Sequence, residues 1–223
     1  MRTRVKICGL TRPDDVIFAV KAGADALGFV FYKQSPRYVS PEIARELANL
    51  VPAWVSTVGL FVNSELNEIS EVADYVGVSH VQLHGDEPET LCKKITRPVI
   101  KAIRLPTSGI IEQASLEKYA KMSKGYLDCC SAVLLDSDTQ SYGGSGKTFK
   151  WEVLDELVPQ FNGKWVLSGG LNTGNIERLI TRFNPPFVDV SSGVELKESG
   201  KKRPGIKDHN EIEDFLKMVA SFN

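Results

Sequence analysis

Eight short runs of β-branched and apolar residues, each followed by a stretch with helical spacing, extend along the whole chain. The runs are Arg4–Cys8, Asp25–Phe31, Val55–Val62, His80–His84, Val99–Arg104, Ala132–Asp136, Trp165–Ser168 and Phe187–Ser191. Strands that alternate with helices form parallel sheets, because each crossover helix returns the chain to the same end of the sheet. Division of 223 residues by eight gives about 28 per unit, close to the roughly 30 that a strand and its helix need. The pattern predicts a single-domain (β/α)8 TIM barrel over residues 1–223.

The helical stretches between the runs carry one apolar stripe each, as expected for helices that pack against a sheet. The stripes are Ile43, Leu47, Leu50 and Val51; Leu66, Ile69, Val72, Ala73 and Val76; Ile176, Leu179, Ile180 and Phe183; and Ile212, Phe215, Leu216 and Val219. Thr11, Ser64 and Asp208 are predicted to start helices, and a further helix is predicted over Ile110–Met122. An open doubly wound sheet is the alternative, but no strand-to-helix turn carries a dinucleotide-binding fingerprint.

The charge balance excludes a general attraction to nucleic acid or to anionic membranes. Lys and Arg number 27 against 28 Asp and Glu, which gives a formal net charge of −1, so any anion must be bound locally. No stretch approaches the roughly 18 consecutive apolar residues of a membrane span, and the start of the chain lacks the apolar segment of a signal peptide. We therefore expect a cytoplasmic protein with reduced cysteines. The expected oligomeric state is a monomer or a homodimer.

Polar residues and glycines end the predicted strands, and in a barrel this edge carries the active site. His84 ends the fourth strand, and Ser168-Gly169-Gly170 and Ser191-Ser192-Gly193 follow the seventh and eighth. Paired glycine turns after these two strands are typical of a barrel phosphate site, because glycine lets backbone N–H groups approach an anion. The alternative is that both are merely tight turns.

A glycine-rich segment, Tyr142–Thr148, follows the sixth strand at some distance. It is similar to a nucleotide-binding P-loop, but Ser141 stands where the first glycine of that pattern is required. We interpret the segment as a loop over the barrel mouth, with Lys147 available to an anion, or else as an ordinary surface loop.

Three inward positions near the mouth carry reactive groups. Cys8 ends the first strand beside a glycine, where it is either a buried small residue or a reactive thiol. Asp136 ends the sixth strand as either a buried partner for a cation or an acid/base. Lys6 has the same inward parity as Cys8, and Asp189 lies on the adjacent closing strand, so a buried ion pair is favoured over a Schiff-base lysine.

The other cysteines are predicted to be small buried residues without chemistry. Cys92 lies in a helical stretch, and Cys129 and Cys130 precede the sixth strand. Neither they nor the scattered histidines have metal-site spacing, so no metal is expected.

Many short segments, in order along nearly the whole chain, resemble phosphoribosylanthranilate isomerases of tryptophan biosynthesis. They include Val5–Gly9, Gly23–Phe31, Ser35–Tyr38, Val58–Asn63, Val81–Gly85, Leu134–Asp136, Gly143–Phe149, Leu167–Leu171 and Val188–Glu195. The resemblance implies a TIM barrel that converts N-(5-phosphoribosyl)anthranilate into a 1-amino-1-deoxyribulose phosphate, an Amadori rearrangement without cofactor or metal.

The resemblance also implies roles for individual residues. Cys8 matches the general base of the family and Asp136 its general acid, so Cys8 should be at least partly ionised, with the help of nearby positive charge, and Asp136 protonated at the start. Arg37 matches the residue that holds the anthranilate carboxylate, and His84 is expected to contact the substrate. The phosphate-binding loops correspond to the turns that contain Gly169, Gly170, Ser192 and Gly193.

The segment 196–208 departs from the family by its greater length and adds positive charge near the phosphate end. A surface insertion is the simpler interpretation, because long loops cost little free energy. Two alternatives to the isomerase remain: another phosphosugar isomerase or synthase of the same fold, and a phosphate-ligand-binding barrel without turnover.

Overall fold

A computed structural model describes residues 2–108, 112–138, 146 and 148–222. The barrel strands are β1 (Arg4–Cys8), β2 (Ala26–Val30), β3 (Ser56–Phe61), β4 (His80–Leu83), β5 (Val99–Leu105), β6 (Ala132–Ser137), β7 (Trp165–Leu167) and β8 (Phe187–Val190). All eight are parallel to their neighbours, and β8 pairs with β1 to close the barrel. The predicted single-domain TIM barrel is confirmed, and each predicted strand boundary lies within one residue of the observed one.

Helices surround the barrel between successive strands. They are α1 (Pro13–Ala22), α2 (Pro41–Ala48), α3 (Leu66–Val76), α4 (Glu89–Cys92), α5 (Gln113–Leu127), α6 (Leu154–Leu157), α7 (Ile176–Phe183) and α8 (His209–Ala220). The predicted helix from Ile110 to Met122 corresponds to α5, which spans Gln113 to Leu127; Ile110 and Ile111 lie outside the described residues. None of the described helices is both long and apolar enough to cross a membrane.

The predicted helix starts are correct in one case of three. The Asp208 carboxylate accepts hydrogen bonds from the backbone N–H groups of Asn210 and Glu211 and caps α8. Arg12 and Glu65, not Thr11 and Ser64, are the N-cap residues of α1 and α3, and neither side chain caps its helix. In α1 the first turn instead begins with Pro13, whose fixed φ suits that position.

The main core lies between the strands and the helices. In α8 the whole predicted stripe, Ile212, Phe215, Leu216 and Val219, is buried. Each such side chain contributes about 1.5–3 kcal/mol relative to an exposed one. The stripe predicted around α2 is partly wrong: Ile43 and Leu50 are 48% and 42% exposed. Because α2 ends at Ala48, Leu50 lies beyond the helix and does not continue its buried face.

Two further strands, β9 (Glu195–Glu198) and β10 (Lys201–Lys207), form an antiparallel hairpin after β8. This hairpin is the segment that the sequence indicated as a long surface insertion. Its outer part is exposed, but Glu195, Gly205 and Lys207 are buried against the barrel. The insertion is therefore anchored to the barrel at its base.

Candidate active site

One pocket opens at the carboxyl ends of the barrel strands. All eight predicted site residues line it: Cys8, Arg37, His84, Asp136, Gly169, Gly170, Ser192 and Gly193. Six different strands or strand-to-helix connections supply them, so only closure of the barrel brings them together. The same pocket is lined by Gln82 and Asp189, which lie deeper along their strands.

Cys8 fits into the pocket because the residue opposite it, Gly28, has no side chain. Cys8 pairs in register with Gly28 of β2, and a Cβ on Gly28 would lie 2.8 Å from the Cys8 sulfur. A contact that close would push the thiol away. Gly28 is therefore a site residue that sequence reasoning missed, and the glycine in the middle of the second strand run was its signal.

Burial and two cations have opposite effects on the Cys8 thiol. Burial raises the pKa of the Cys8 thiol, and the nearby Asp189 carboxylate raises it further. The ammonium groups of Lys6 and Lys207 act in the opposite direction, but they do not outweigh burial. The two cations are the nearby positive charge that the sequence analysis expected, and partial ionisation of Cys8 stays a prediction.

Lys6 and Asp189 form the buried ion pair that strand parity predicted. Lys6 Nζ lies 2.7 Å from Asp189 Oδ2, and the two side chains are 7% and 6% exposed. Burial alone would lower the pKa of Lys6, but the charges of Asp189 and Cys8 outweigh it and raise the pKa. An ammonium group held in an ion pair is no nucleophile, so the structure favours the ion pair over a Schiff-base lysine.

A chain of hydrogen bonds leads from Lys6 across the barrel to Asp136. Lys6 Nζ donates to Gln82 Oε1 at 2.8 Å, Gln82 Nε2 lies 2.9 Å from His84 Nδ1, and His84 Nε2 lies 3.0 Å from Asp136 Oδ2. Because an ammonium only donates, it fixes the Gln82 amide with its nitrogen towards His84. Gln82 then donates to Nδ1, and the histidine proton must be on Nε2, directed at Asp136.

Asp136 is a buried residue of the pocket wall. Its side chain is 7% exposed, and Oδ1 accepts a hydrogen bond from the backbone N–H of Ser137 at 2.8 Å. It is a buried partner, but of the His84 imidazole rather than of a lysine or arginine. It also lines the pocket, where a carboxyl group can exchange a proton with a bound molecule.

Arg37 is held by a carboxylate of the protein. Its Nε and one terminal nitrogen donate to the two oxygens of Glu195 at 2.6 and 2.7 Å, and Lys207 Nζ lies 3.6 Å from Glu195 Oε1. Burial would raise the pKa of Glu195, but Arg37 and Lys207 outweigh it and keep the pKa below its usual value. We call Arg37, Glu195 and Lys207 the hairpin clamp, because it joins the loop after β2 to the β9–β10 hairpin.

The two glycine turns have backbones that other residues do not readily adopt. Gly169 and Gly170 have φ values of +85° and +71°, and a Cβ on Gly193 would overlap the carbonyl oxygen of Leu171. In the described part of the chain, the N–H groups of Gly170 and Gly193 donate to no backbone carbonyl. The hairpin also places the Lys202 ammonium near the second turn. A Cβ placed on Gly146 would lie 3.3 Å from Lys202 Nζ and 3.6 Å from Ser192 Oγ, so both side chains lie beside Gly146. Lys147 and the other residues of the predicted loop, except Gly146 and Thr148, lie outside the described residues.

Residues 5–218 match the family model described as N-(5′-phosphoribosyl)anthranilate (PRA) isomerase. The chain belongs to this isomerase family. It is 45% identical over 218 residues to the N-(5′-phosphoribosyl)anthranilate isomerase of Thermotoga neapolitana, which covers 97% of this chain and 98% of that one. The predicted family and the prediction of an enzyme are confirmed.

Solved structures of the family agree with the barrel described here. The phosphoribosyl anthranilate isomerase of Thermotoga maritima superimposes with a TM-score of 0.83 at 44% identity and covers 98% of this chain and 99% of that one. A second structure of the family, in complex with reduced 1-(o-carboxyphenylamino)-1-deoxyribulose 5-phosphate, has a TM-score of 0.81 at 40% identity, with coverage of 98% and 99%. The family thus includes a protein that holds a carboxyphenylamino sugar phosphate.

Proposed function

We propose that the protein is a cytoplasmic enzyme that rearranges N-(5-phosphoribosyl)anthranilate to 1-(2-carboxyphenylamino)-1-deoxyribulose 5-phosphate, with Cys8 as general base and Asp136 as general acid and without metal or cofactor. The observation that carries the proposal is the pocket itself. A thiol and a carboxyl group from β1 and β6 line it together with two glycine turns and an arginine. These are the groups that an aromatic acid joined to a sugar phosphate requires.

The reaction needs one proton donor and one proton acceptor. Protonation of the ribose ring oxygen by Asp136 breaks the bond from C1 to that oxygen and leaves an iminium ion. Removal of the C2 proton by the Cys8 thiolate gives an enolamine, which becomes the aminoketone when C1 takes up a proton and the C2 hydroxyl group loses one. No atom is gained or lost, so the two side chains suffice for the chemistry.

The ionisation of Cys8 is the demanding part of this mechanism. Burial keeps the thiol protonated, whereas Lys6 and Lys207 stabilise the thiolate. The two lysines therefore make the base available at a lower pH than burial alone would allow. His84 directs its Nε2 proton at Asp136 and holds the carboxyl group at the pocket wall.

Binding is assigned to the groups around this pair. The Gly169-Gly170 and Ser192-Gly193 turns offer backbone N–H groups to the phosphate, and Lys202 adds positive charge at the same side. Arg37 is oriented by Glu195, and its planar guanidinium at the pocket wall suits the anthranilate carboxylate.

The test is turnover of the anthranilate substrate, followed by its fluorescence. Cys8→Ser and Asp136→Asn should each lower kcat by at least the roughly 100-fold typical of general acid–base catalysis, with little change in KM. Cys129→Ser and Asp138→Asn are matched controls, because these residues lie outside the pocket and undergo the same chemical change. Wild-type protein without turnover would favour a phosphate-binding barrel, and near-normal kcat in Cys8→Ser would require a different base.

A further inference from the structure

Three cysteine sulfurs meet outside the active site, between α4 and α5. Cys92 is the last residue of α4, and Cys129 and Cys130 follow Asp128, the C-cap residue of α5. Their Sγ atoms all lie within 4.8 Å of one another, and those of Cys129 and Cys130 are 3.9 Å apart. All three are free thiols. None of them lines the substrate pocket, so the proposed catalysis leaves the cluster unexplained.

We propose that Cys92, Cys129 and Cys130 form a binding site for one thiophilic divalent d10 cation, Zn²⁺ or Cd²⁺. Three sulfurs at about 2.3 Å from one zinc ion are about 3.8 to 4.0 Å apart, in tetrahedral or trigonal geometry respectively. The observed separations need side-chain shifts of less than about 1 Å to reach this arrangement. Each thiol would lose a proton to water as its sulfur binds the ion, and no electron is transferred.

The chemistry of the donor set selects the class of ion. Thiolates prefer Zn²⁺, Cd²⁺ and similar soft cations, whereas Mg²⁺ and Ca²⁺ require oxygen ligands. Within the described residues, no histidine, aspartate or glutamate supplies a fourth ligand atom at this distance. The fourth position is therefore open to a water molecule, as at zinc sites with three protein ligands.

The cluster is buried but can be reached from solvent on one side. Cys92 and Cys130 are 1% and 6% exposed, whereas Cys129 is partly exposed and gives access from solvent.

The surroundings hold the cluster in place. Lys101 Nζ lies 3.1 Å from Glu87 Oε2, and both side chains are almost fully buried. Tyr126, in the last turn of α5, donates its hydroxyl proton to the backbone carbonyl of Glu87 at 2.8 Å. The segment before α4 is thus tied both to β5 and to the end of α5, which fixes the distance between Cys92 and the two adjacent cysteines.

Titration of the reduced, metal-free protein with Cd²⁺ tests the proposal, because cadmium–thiolate bonds absorb in the ultraviolet. We expect saturation at one ion per chain, displacement by Zn²⁺ and no response to Mg²⁺. Cys92→Ser and Cys129→Ser should each weaken Cd²⁺ binding by at least roughly 10-fold. Cys8→Ser is the matched control, because it removes a thiol elsewhere and should leave the absorption unchanged.

Two results would overturn the site. One is the absence of thiolate absorption up to a large excess of Cd²⁺, and the other is an absorption that disappears in Cys8→Ser but persists in the two cluster variants. Cys129 is partly exposed, so its serine variant is expected to fold even if the Cys92 variant does not, and circular dichroism checks this. One cadmium per wild-type chain and none per Cys129→Ser chain in native mass spectrometry would support the site independently.

Discussion

Two buried groups of charged residues border the same pocket, and they lie on different parts of the fold. The Lys6–Asp189 pair and the chain through Gln82 to Asp136 lie on strands inside the barrel. The hairpin clamp lies outside the barrel strands, between the loop after β2 and the β9–β10 hairpin. The first group is fixed by the register of the barrel, whereas the second is fixed by contacts between Arg37, Glu195 and Lys207 themselves. We infer that the first group serves proton transfer and that the second serves binding.

The largest expected effect follows from removal of Lys6 inside the barrel. Lys6→Met leaves Asp189 charged and buried without its cation, which typically costs about 3–5 kcal/mol in the free energy of unfolding. Urea denaturation measures this. The double variant Lys6→Met/Asp189→Leu should recover most of the loss, because no unpaired charge remains. A double variant as unstable as the single one would mean that packing, and not charge, is responsible.

Gln82→Leu tests the chain within the barrel without a change of charge. His84 loses the donor to Nδ1 that fixes its tautomer, so Asp136 loses its oriented partner. We expect kcat to fall by roughly 10- to 100-fold, as for a misplaced catalytic group, with KM little changed. Gln160→Leu, on the outer surface, is the control. An increase of KM at constant kcat would assign Gln82 to binding and contradict the division.

Arg37→Ala tests the hairpin clamp as a binding element. KM for the anthranilate substrate should rise by about 10- to 100-fold, which corresponds to the roughly 1.5–3 kcal/mol of a hydrogen bond to a charged group. An analogue without the ring carboxylate should be affected much less, and Arg45→Ala on α2 serves as the control. Equal losses for substrate and analogue would exclude carboxylate recognition. A side chain at Gly193 is a poorer test of binding, because it would collide with the backbone of Leu171.

The smallest expected effect comes from a change of Lys207, which belongs to the hairpin clamp and also acts on Cys8. Burial lowers the pKa of Lys207 to about 8, so its charge supports the Cys8 thiolate only below that pH. Lys207→Met should therefore lower kcat/KM below about pH 8 and match the wild type above it, since Lys207 is then neutral in both. Lys201→Met, on the exposed part of β10, should have a wild-type profile. A difference between Lys207→Met and wild type that persists at pH 10 would contradict an effect of charge.

The contrast between the two groups also explains what the sequence could predict. Alternation along β1 and β8 fixes which side chains point inward, so the Lys6–Asp189 pair was predictable from parity alone. The partner of Arg37 was not, because Glu195 lies 158 residues away on a hairpin whose exposed, charged residues show no strand pattern. Gln82 was missed for another reason: its role depends on which nitrogen of His84 it faces, and spacing carries no such information. The cysteine cluster was missed because its sulfurs come from two distant segments, whereas metal-site motifs are recognised by short spacings.

Closure of the barrel through β1 and β8 has a consequence for synthesis of the protein. Lys6 and Asp189, which are 183 residues apart in sequence, become neighbours only when the last strand docks on the first. When the ribosome has synthesised the first six strands, the chain already contains Cys8 and Asp136. The glycine turns after β7 and β8 have not yet been synthesised. Partially made chains therefore expose a charged lysine in an unfinished interior and have no means of binding phosphate. Folding and activity are completed by the same late contact, so a shortened chain is expected to be a substrate for proteases rather than a weaker enzyme.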